Sequence, residues 1–156
     1  MSRATVERIV VGLDGSEGSA AALRWAIGVA RDLDAEIVAL HVREMPYPVT
    51  APAAGGALMG VGARASSEES QREAVKEVFH STWCAPLAES GVRYRELLGD
   101  GRAGPLLLEA AQRERADLIV TGRRGRGSVT ELIAGSVSQY LIHRSSLPVV
   151  VVPQEM

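Results

Sequence analysis

Short apolar runs alternate along the chain with longer segments in which apolar residues recur at helical spacing. The first run, Arg8–Leu13, is rich in β-branched residues and stops at the turn Asp14-Gly15-Ser16, which indicates a buried strand. The apolar residues between Gly18 and Leu33 recur every three or four positions, which predicts a helix. The apolar run Glu36–Val42 predicts a second buried strand.

The middle of the chain predicts a long polar helix. Ser66-x-x-Glu69 has the form of a capping box, so we expect the helix to begin there and to end at Gly91. Pro86 should kink or divide it, because a proline ring clashes with the preceding helical turn. Residues 45–63 carry no charge but contain repeated Pro and Gly, so we expect a flexible loop over about 43–65, not a membrane span.

The second half of the chain repeats the alternation. Val92–Leu98 predicts a weaker strand, Pro105–Arg115 a helix with proline in its first turn, and Asp117–Thr121 a buried strand. Helical segments follow to about Arg144, and four valines before Pro153 predict the last strand. The fold class is therefore α/β, a five-stranded parallel sheet with helices on both faces, formed by all 156 residues as one domain.

Two of these strands end in glycine-rich turns, and parallel sheets bind ligands outside the carboxyl ends of their strands. The first strand ends at Gly12–Gly15 and the fourth at Thr121-Gly122. At these turns we expect the ligand site.

The segment after the fourth strand has the composition of an anion site. The capping boxes Ser128-x-x-Glu131 and Ser136-x-x-Gln139 predict a short helix, a break at Gly135 and a new helix opening at Ser136. Helix N-termini with nearby hydroxyls bind anions, and Gly122 and Gly125 would let the backbone approach a phosphate chain. A glycine-rich turn without a ligand is the alternative interpretation.

The spacing Gly122-x2-Gly125-x9-Gly135-Ser136 is similar to the nucleotide-binding signature Gly-x2-Gly-x9-Gly-Ser/Thr of the universal stress protein family. Val10–Ser16 resembles the opening strand and turn of that family, and Pro148–Val152 resembles its last strand. The resemblance covers essentially the whole chain. It implies a Rossmann-like sheet of strand order 3-2-1-4-5, similar to adenine nucleotide alpha hydrolases, with ATP and Mg²⁺ bound between the first and fourth strands, and a homodimer.

The same resemblance implies the site residues. Leu13 and Asp14 match the first turn, with Asp14 near the ribose and adenine, and Val42 matches the apolar position beside the adenine. The phosphate loop would comprise Thr121, Gly122, Arg124, Gly125, Gly135, Ser136, Val137 and Ser138. For Asp14 an alternative stays open, because Asp before Gly is common in turns.

The composition of the chain argues against several classes of function and binding site. A net charge of −2 disfavours nucleic-acid binding. The single cysteine, Cys84, excludes an intramolecular disulfide and a multi-cysteine metal site, which favours the cytoplasm. Lys76 is the only lysine and lies outside any Walker A sequence. Trp25 and Trp83 are interpreted as core or half-buried anchors, and Cys84 as a packed thiol.

The expected function is that of an ATP-binding regulator of the stress response with little or no turnover and an unidentified protein partner. Two alternatives stay open: a slow ATPase or adenylate-type enzyme on the same fold, and an interaction module that binds cyclic AMP or no ligand. In the implied strand order, Val149–Val152 form an edge strand, which predicts a homodimer through that strand.

Overall fold

The computed structural model describes residues 5–45, 61–125 and 134–154, and of residues 61–66 only the backbone. The strands are β1 (Arg8–Gly12), β2 (Glu36–Glu44), β3 (Tyr94–Gly101), β4 (Leu118–Gly122) and β5 (Val149–Val152). The helices are α1 (Glu17–Leu33), α2 (Val61–Val78), α3 (Ala85–Ser90), α4 (Ala103–Arg113) and α5 (Ser136–Arg144). A π-helical turn, Phe79–Trp83, lies between α2 and α3.

The five strands form one parallel sheet, as the sequence pattern predicts, and its order β3-β2-β1-β4-β5 is the one that the family resemblance implies. Val10 in β1 is aligned with Val38 in β2 and with Ile119 in β4, and all three are fully buried. One face packs against α1, α3 and the π-helical turn, and the other packs against α4 and α5. Because helices cover both faces of the sheet, side chains on both sides of each central strand are buried, which explains why these strands are almost continuously apolar.

Helix α1 begins and ends at specific caps. The Ser16 side chain accepts a hydrogen bond from the Ser19 N–H at 3.2 Å, which satisfies one of the free donors of the first turn. Asp34 ends the helix in the left-handed region with φ of 56°. Trp25 on this helix is 40% exposed, so its interpretation as a core or half-buried anchor is wrong.

The second helix begins earlier than predicted. It starts at Val61, so Ser66 lies inside it and is not its cap. The helix extends in the N-terminal direction because strong helix formers precede Ser66, namely Ala63, Arg64 and Ala65. Their helix propensity outweighs the expected capping box at Ser66. The expected loop over 43–65 is likewise shorter at both ends, because β2 continues to Glu44; residues 46–60 lie outside the described residues.

Pro86 divides the second helical stretch, as predicted. The α-helical hydrogen bonding of α2 changes to π-helical at Phe79, and α3 then begins at Ala85 with Pro86 in its first turn. Gly91 ends α3 in the left-handed region with φ of 74°, also as predicted. Strand β3 lies two to three residues later than the expected Val92–Leu98.

An ionic network joins the amino ends of the strands. Arg95 donates to Glu36 at 2.6 Å and to Glu114 at 2.5 Å, and Arg8 donates to Glu36 at 3.1 Å. The Arg95 guanidinium lowers the pKa of Glu36 below its ordinary value, with a smaller contribution from Arg8. The network fixes the sheet at the end opposite to the glycine-rich turns.

Among the described residues, no helix is both long enough and apolar enough to cross a membrane.

Candidate functional site

A cavity of about 750 Å³ opens at the carboxyl ends of β1, β2 and β4. The sheet reverses its direction of winding between β1 and β4, where open α/β sheets bind ligands. The structure brings ten of the eleven candidate residues to this cavity, all except Gly135: Leu13, Asp14, Val42, Thr121, Gly122, Arg124, Gly125, Ser136, Val137 and Ser138.

Asp14 is held by the turn that follows β1. Its Oδ1 accepts hydrogen bonds from the Ser16 N–H at 2.9 Å and from the Ser16 hydroxyl at 2.5 Å. The Asp14 N–H donates to the Ser19 hydroxyl at 3.3 Å. The carboxylate is therefore fixed beside the N-terminus of α1, where a negative charge is stabilised by the helix dipole.

Gly122 and Gly125, after the core of β4, lie close against other parts of the protein. A Cβ at Gly122 would lie 2.5 Å from the carbonyl carbon and oxygen of Gly18, and one at Gly125 would overlap Asp14 Oδ2. A Cβ at Gly18 would in turn overlap the Arg124 carbonyl oxygen. Both glycines also line the cavity, so the approach of a phosphate chain to their backbone stays a prediction.

Helix α5 begins at the cavity, and its cap differs from the one predicted. Gly135, not Ser136, is the N-cap, and the first helical bond runs from the Gln139 N–H to the Gly135 carbonyl at 3.0 Å. The φ of Gly135 is −60°, a value that residues other than glycine also adopt, so a substitution there would cause no backbone strain. The other predicted capping box, Ser128-x-x-Glu131, lies outside the described residues.

The start of α5 presents backbone donors to the cavity. The N–H groups of Ser136, Val137 and Ser138 precede the first helical bond, and all three residues line the cavity. The Ser138 hydroxyl, in contrast, donates to the Gly135 carbonyl at 2.9 Å, with the Arg123 carbonyl at 3.3 Å. Ser138 thus joins α5 to the end of β4, and the backbone amides are the groups at this helix N-terminus whose chemistry suits an anion.

The side of the cavity beside β2 and α2 carries aromatic and apolar side chains, with the charged Arg43 and Glu44 at the end of β2. His41 in β2 is buried, and its Nδ1 lies 2.7 Å from the Leu13 carbonyl oxygen. The Trp83 ring meets the His41 ring edge to face at 4.8 Å, and Phe79 lies behind both. Trp83 is half-buried, as one of the two interpretations from sequence had it, but its place in the cavity wall was not predicted.

Helix α2 closes this side and is held by ion pairs. Val75 and Val78 line the cavity. Asp100, at the end of β3, pairs with Arg43 of β2 at 2.8 Å and with Arg72 of α2. These contacts could not be predicted, because they join residues that are distant in the sequence.

Cys84 is a packed thiol, as predicted. It is fully buried, and burial raises its pKa to about 12, which removes thiolate reactivity near neutral pH. The described residues contain no group of three or more His, Cys, Asp or Glu side chains that could hold a metal ion.

The family model for the universal stress protein family matches residues 5–153 of the chain. The chain belongs to the universal stress protein family. The chain is 33% identical to the universal stress protein MJ0531 of Methanocaldococcus jannaschii, over 94% of this chain and 81% of that protein. It is 32% identical to the stress response protein NhaX of Bacillus subtilis, over 94% of this chain and 97% of that protein.

Solved structures show that the universal stress protein fold extends over this chain. The protein MJ0577 has a TM-score of 0.75 at 20% identity, with 97% of this chain and 99% of that chain covered. A universal stress protein in complex with cAMP has a TM-score of 0.61 at 22% identity, with 97% and 99% covered. The Arabidopsis thaliana protein At3g01520 with AMP bound has a TM-score of 0.58 at 19% identity, with 96% and 92% covered.

Proposed function

We propose that this universal stress protein binds ATP in the cavity at the carboxyl ends of β1, β2 and β4, and acts as a nucleotide-dependent regulator. The observation that carries the proposal is the convergence of ten candidate residues, from five separate elements and turns, on one cavity. Structures of the same fold with cAMP or AMP bound support an adenine nucleotide as the class of ligand.

The two sides of the cavity suit the two ends of a nucleotide. The amides at the start of α5, with Arg124 nearby, suit the phosphates, because the N–H groups of a helix N-terminus and a guanidinium both stabilise anions. The apolar side, with Val42 at the end of β2, suits the base. Strands β2 and β4 are two intervals apart, roughly 9–10 Å, so the base and the phosphates would lie over different strands.

Mg²⁺ would be held mainly by the phosphates. Ser136 supplies an oxygen atom beside the expected phosphate positions, and Mg²⁺ prefers oxygen ligands and retains several waters. This donor set fits an ion that arrives with the nucleotide. The chemistry that the ion would supply is neutralisation of phosphate charge.

Slow or absent turnover is part of the proposal. Hydrolysis needs a group that orients the attacking water. Among the described residues, the carboxylates that line the cavity are Asp14 and Glu44. Asp14 Oδ1 already accepts two hydrogen bonds from Ser16, and Glu44 lies at the end of β2, away from α5. ATP would then act as a ligand that shifts a conformational or partner equilibrium.

The deciding experiment is identification of the small molecule released when purified protein is denatured, combined with thermal unfolding in added ATP and Mg²⁺. ATP or ADP is the expected product, and ATP at a hundredfold excess over Kd should stabilise the protein by about 2.7 kcal/mol. Asp14→Ala is the matched variant and should lose this stabilisation. No release and no stabilisation would contradict the proposal.

Turnover is tested separately by phosphate release. We expect a rate far below the ~1–10³ s⁻¹ of typical enzymes. A rate within that range, abolished in Asp14→Ala, would favour the ATPase or adenylate-type alternative.

Cyclic AMP is the second candidate ligand, supported by the cAMP complex of the same fold. It has no β- and γ-phosphates, so it would use fewer of the α5 amides. Release of cyclic AMP on denaturation, and stabilisation by cyclic AMP greater than by ATP, would identify it.

We further propose that all 156 residues form one cytoplasmic domain that dimerises through β5. Strand β5 pairs only with β4 among the described strands, which leaves its other edge for an isologous contact. Val150 and Val152 pack against the core on one face, whereas Val151 belongs to neither core cluster. Val151→Lys should therefore give a folded monomer, and a monomeric wild-type mass by light scattering would contradict the proposal.

A further inference from the structure

Trp83 is a large aromatic side chain in the wall of the cavity. It is half-buried, and it lines the cavity together with His41, Val75 and Val78. Its indole ring meets His41 at 83° and Phe79 at 75°. The indole therefore packs edge to face against two rings that lie within the protein.

The π-helical turn Phe79–Trp83 determines where this ring points. The Cys84 N–H donates to the Phe79 carbonyl five residues earlier, at 2.9 Å, where an α-helix would use the fourth residue. The widened turn buries Phe79 and places Trp83 at the cavity. Single π-helical turns inside helices are frequent at functional sites.

His41 connects this ring to the turn after β1. Its Nδ1 lies 2.7 Å from the carbonyl oxygen of Leu13, which itself lines the cavity. Trp83 is thereby packed against a side chain that is anchored beside the proposed nucleotide. The resulting surface is rigid and aromatic, and it lies at the end of the cavity away from α5.

We propose that Trp83 contacts the base of the nucleotide and sets a preference for purine over pyrimidine nucleotides. This inference rests on the proposed function and adds a specificity-determining residue that is absent from the glycine signature. Aromatic side chains bind bases by contact with the ring faces and edges. The two fused rings of a purine cover more of an indole than the single ring of a pyrimidine, so a purine gains more from this contact.

The test compares ligands with and without a base in variants of Trp83. Wild type, Trp83→Phe and Trp83→Leu are titrated with ATP, UTP and inorganic tripolyphosphate by calorimetry, and each variant is first checked for its fold by circular dichroism. In Trp83→Leu we expect ATP affinity to fall about tenfold, UTP affinity to fall less, and tripolyphosphate affinity to stay within about twofold. Trp83→Phe retains an aromatic ring and should keep most of the ATP affinity.

A fluorescence measurement on Trp25→Phe keeps the test valid if Trp83→Leu does not fold. Trp25 is the only other tryptophan and lies outside the cavity lining, so the variant reports on Trp83 alone. Adding ATP should change the fluorescence emission of Trp83 in this variant, whereas adding tripolyphosphate should leave it unchanged.

The possible outcomes separate the two proposals. Equal losses for ATP and tripolyphosphate, an unchanged ATP to UTP ratio, or a fluorescence response that does not depend on the base would overturn the role of Trp83 while ATP binding stands. If wild type binds no ATP, the proposed function fails and this inference fails with it.

Discussion

Gly18 and Gly122 are in direct backbone contact, where the first turn of α1 meets the end of β4. A Cβ at Gly122 would lie 2.5 Å from two backbone atoms of Gly18, a distance that no side-chain rearrangement can relieve. The contact holds the turn after β1 against the turn after β4, and these two turns carry Asp14 and Gly125. The relative position of the two halves of the site therefore depends on the absence of side chains at two residues.

Gly122→Ala should destabilise the fold. The added methyl group forces α1 away from β4, and overpacking of this kind costs about 1–3 kcal/mol. Gly28→Ala is the matched control, because a Cβ there meets nothing within 4 Å and Ala is favoured over Gly in a helix by about 0.5–1 kcal/mol. Urea unfolding of both variants measures the difference. Equal free energies of unfolding would show that α1 and β4 are not in contact.

Gly125→Ala should separate binding from stability. Its Cβ overlaps only the end of the Asp14 side chain, which can rotate at the expense of its hydrogen bonds from Ser16, so we expect a loss of about 1 kcal/mol in the free energy of unfolding. The displaced carboxylate would then weaken ATP binding about tenfold. Calorimetric titration beside urea unfolding gives both quantities. Unchanged affinity in the folded variant would remove Asp14 from the site.

Asp100→Asn should loosen α2 without unfolding the protein. The carboxylate pairs with Arg43 and Arg72 near the surface, and exposed ion pairs contribute about 0–1 kcal/mol. Hydrogen exchange in α2 should become faster, and ATP affinity should fall about fivefold, which corresponds to ~1 kcal/mol. Glu109→Gln is the control, since it removes the exposed pair with Arg113 on α4. If hydrogen exchange in α2 were equally fast in both variants, the ion pairs of Asp100 would not be what holds α2 in place.

Acid should weaken the protein through Glu36. Its pKa is lowered in the folded state, first by the Arg95 guanidinium and then by Arg8, so the unfolded chain binds the proton more readily. The stabilisation is complete above the ordinary value of 4.5 and is lost as pH falls through the lower folded pKa. The stability advantage of wild type over Glu36→Gln should therefore shrink in this window. If the free energies of unfolding of wild type and Glu36→Gln, measured with urea, changed in parallel with pH, the ion pairs of Glu36 would not contribute to stability.

The individual strands follow from sequence because their signals are local, whereas their order in the sheet was implied by the family resemblance. Runs such as Arg8–Leu13 and Asp117–Thr121 are apolar and β-branched, and the sheet covers them on both faces, so pattern and burial agree. The start of α2 was missed because it depends on helix formers before Ser66, and a local capping pattern outweighed them in the prediction.

Within the site, the sequence predicts which residues converge but not what each does. The motif places Gly122 and Gly125 at the cavity, whereas their reason for being glycine is contact with Gly18 and Asp14. Trp83 has no recognisable sequence signal, because its position depends on the hydrogen bonding of one helical turn. The ion pairs of Asp100 could not be predicted from sequence, because they form only once β2, β3 and α2 are packed together.

The widened turn at residues 79–83 has an evolutionary consequence. Such a turn holds one residue more than the α-helix it interrupts, so the loss of a single codon there would restore regular winding. If the lost codon were that of Trp83, the flanking helices would keep their phase and the indole would be absent from the cavity wall, while the strands and the glycine signature stayed intact. Paralogues could thus exchange one ligand preference for another through a change of length that leaves every signature residue in place.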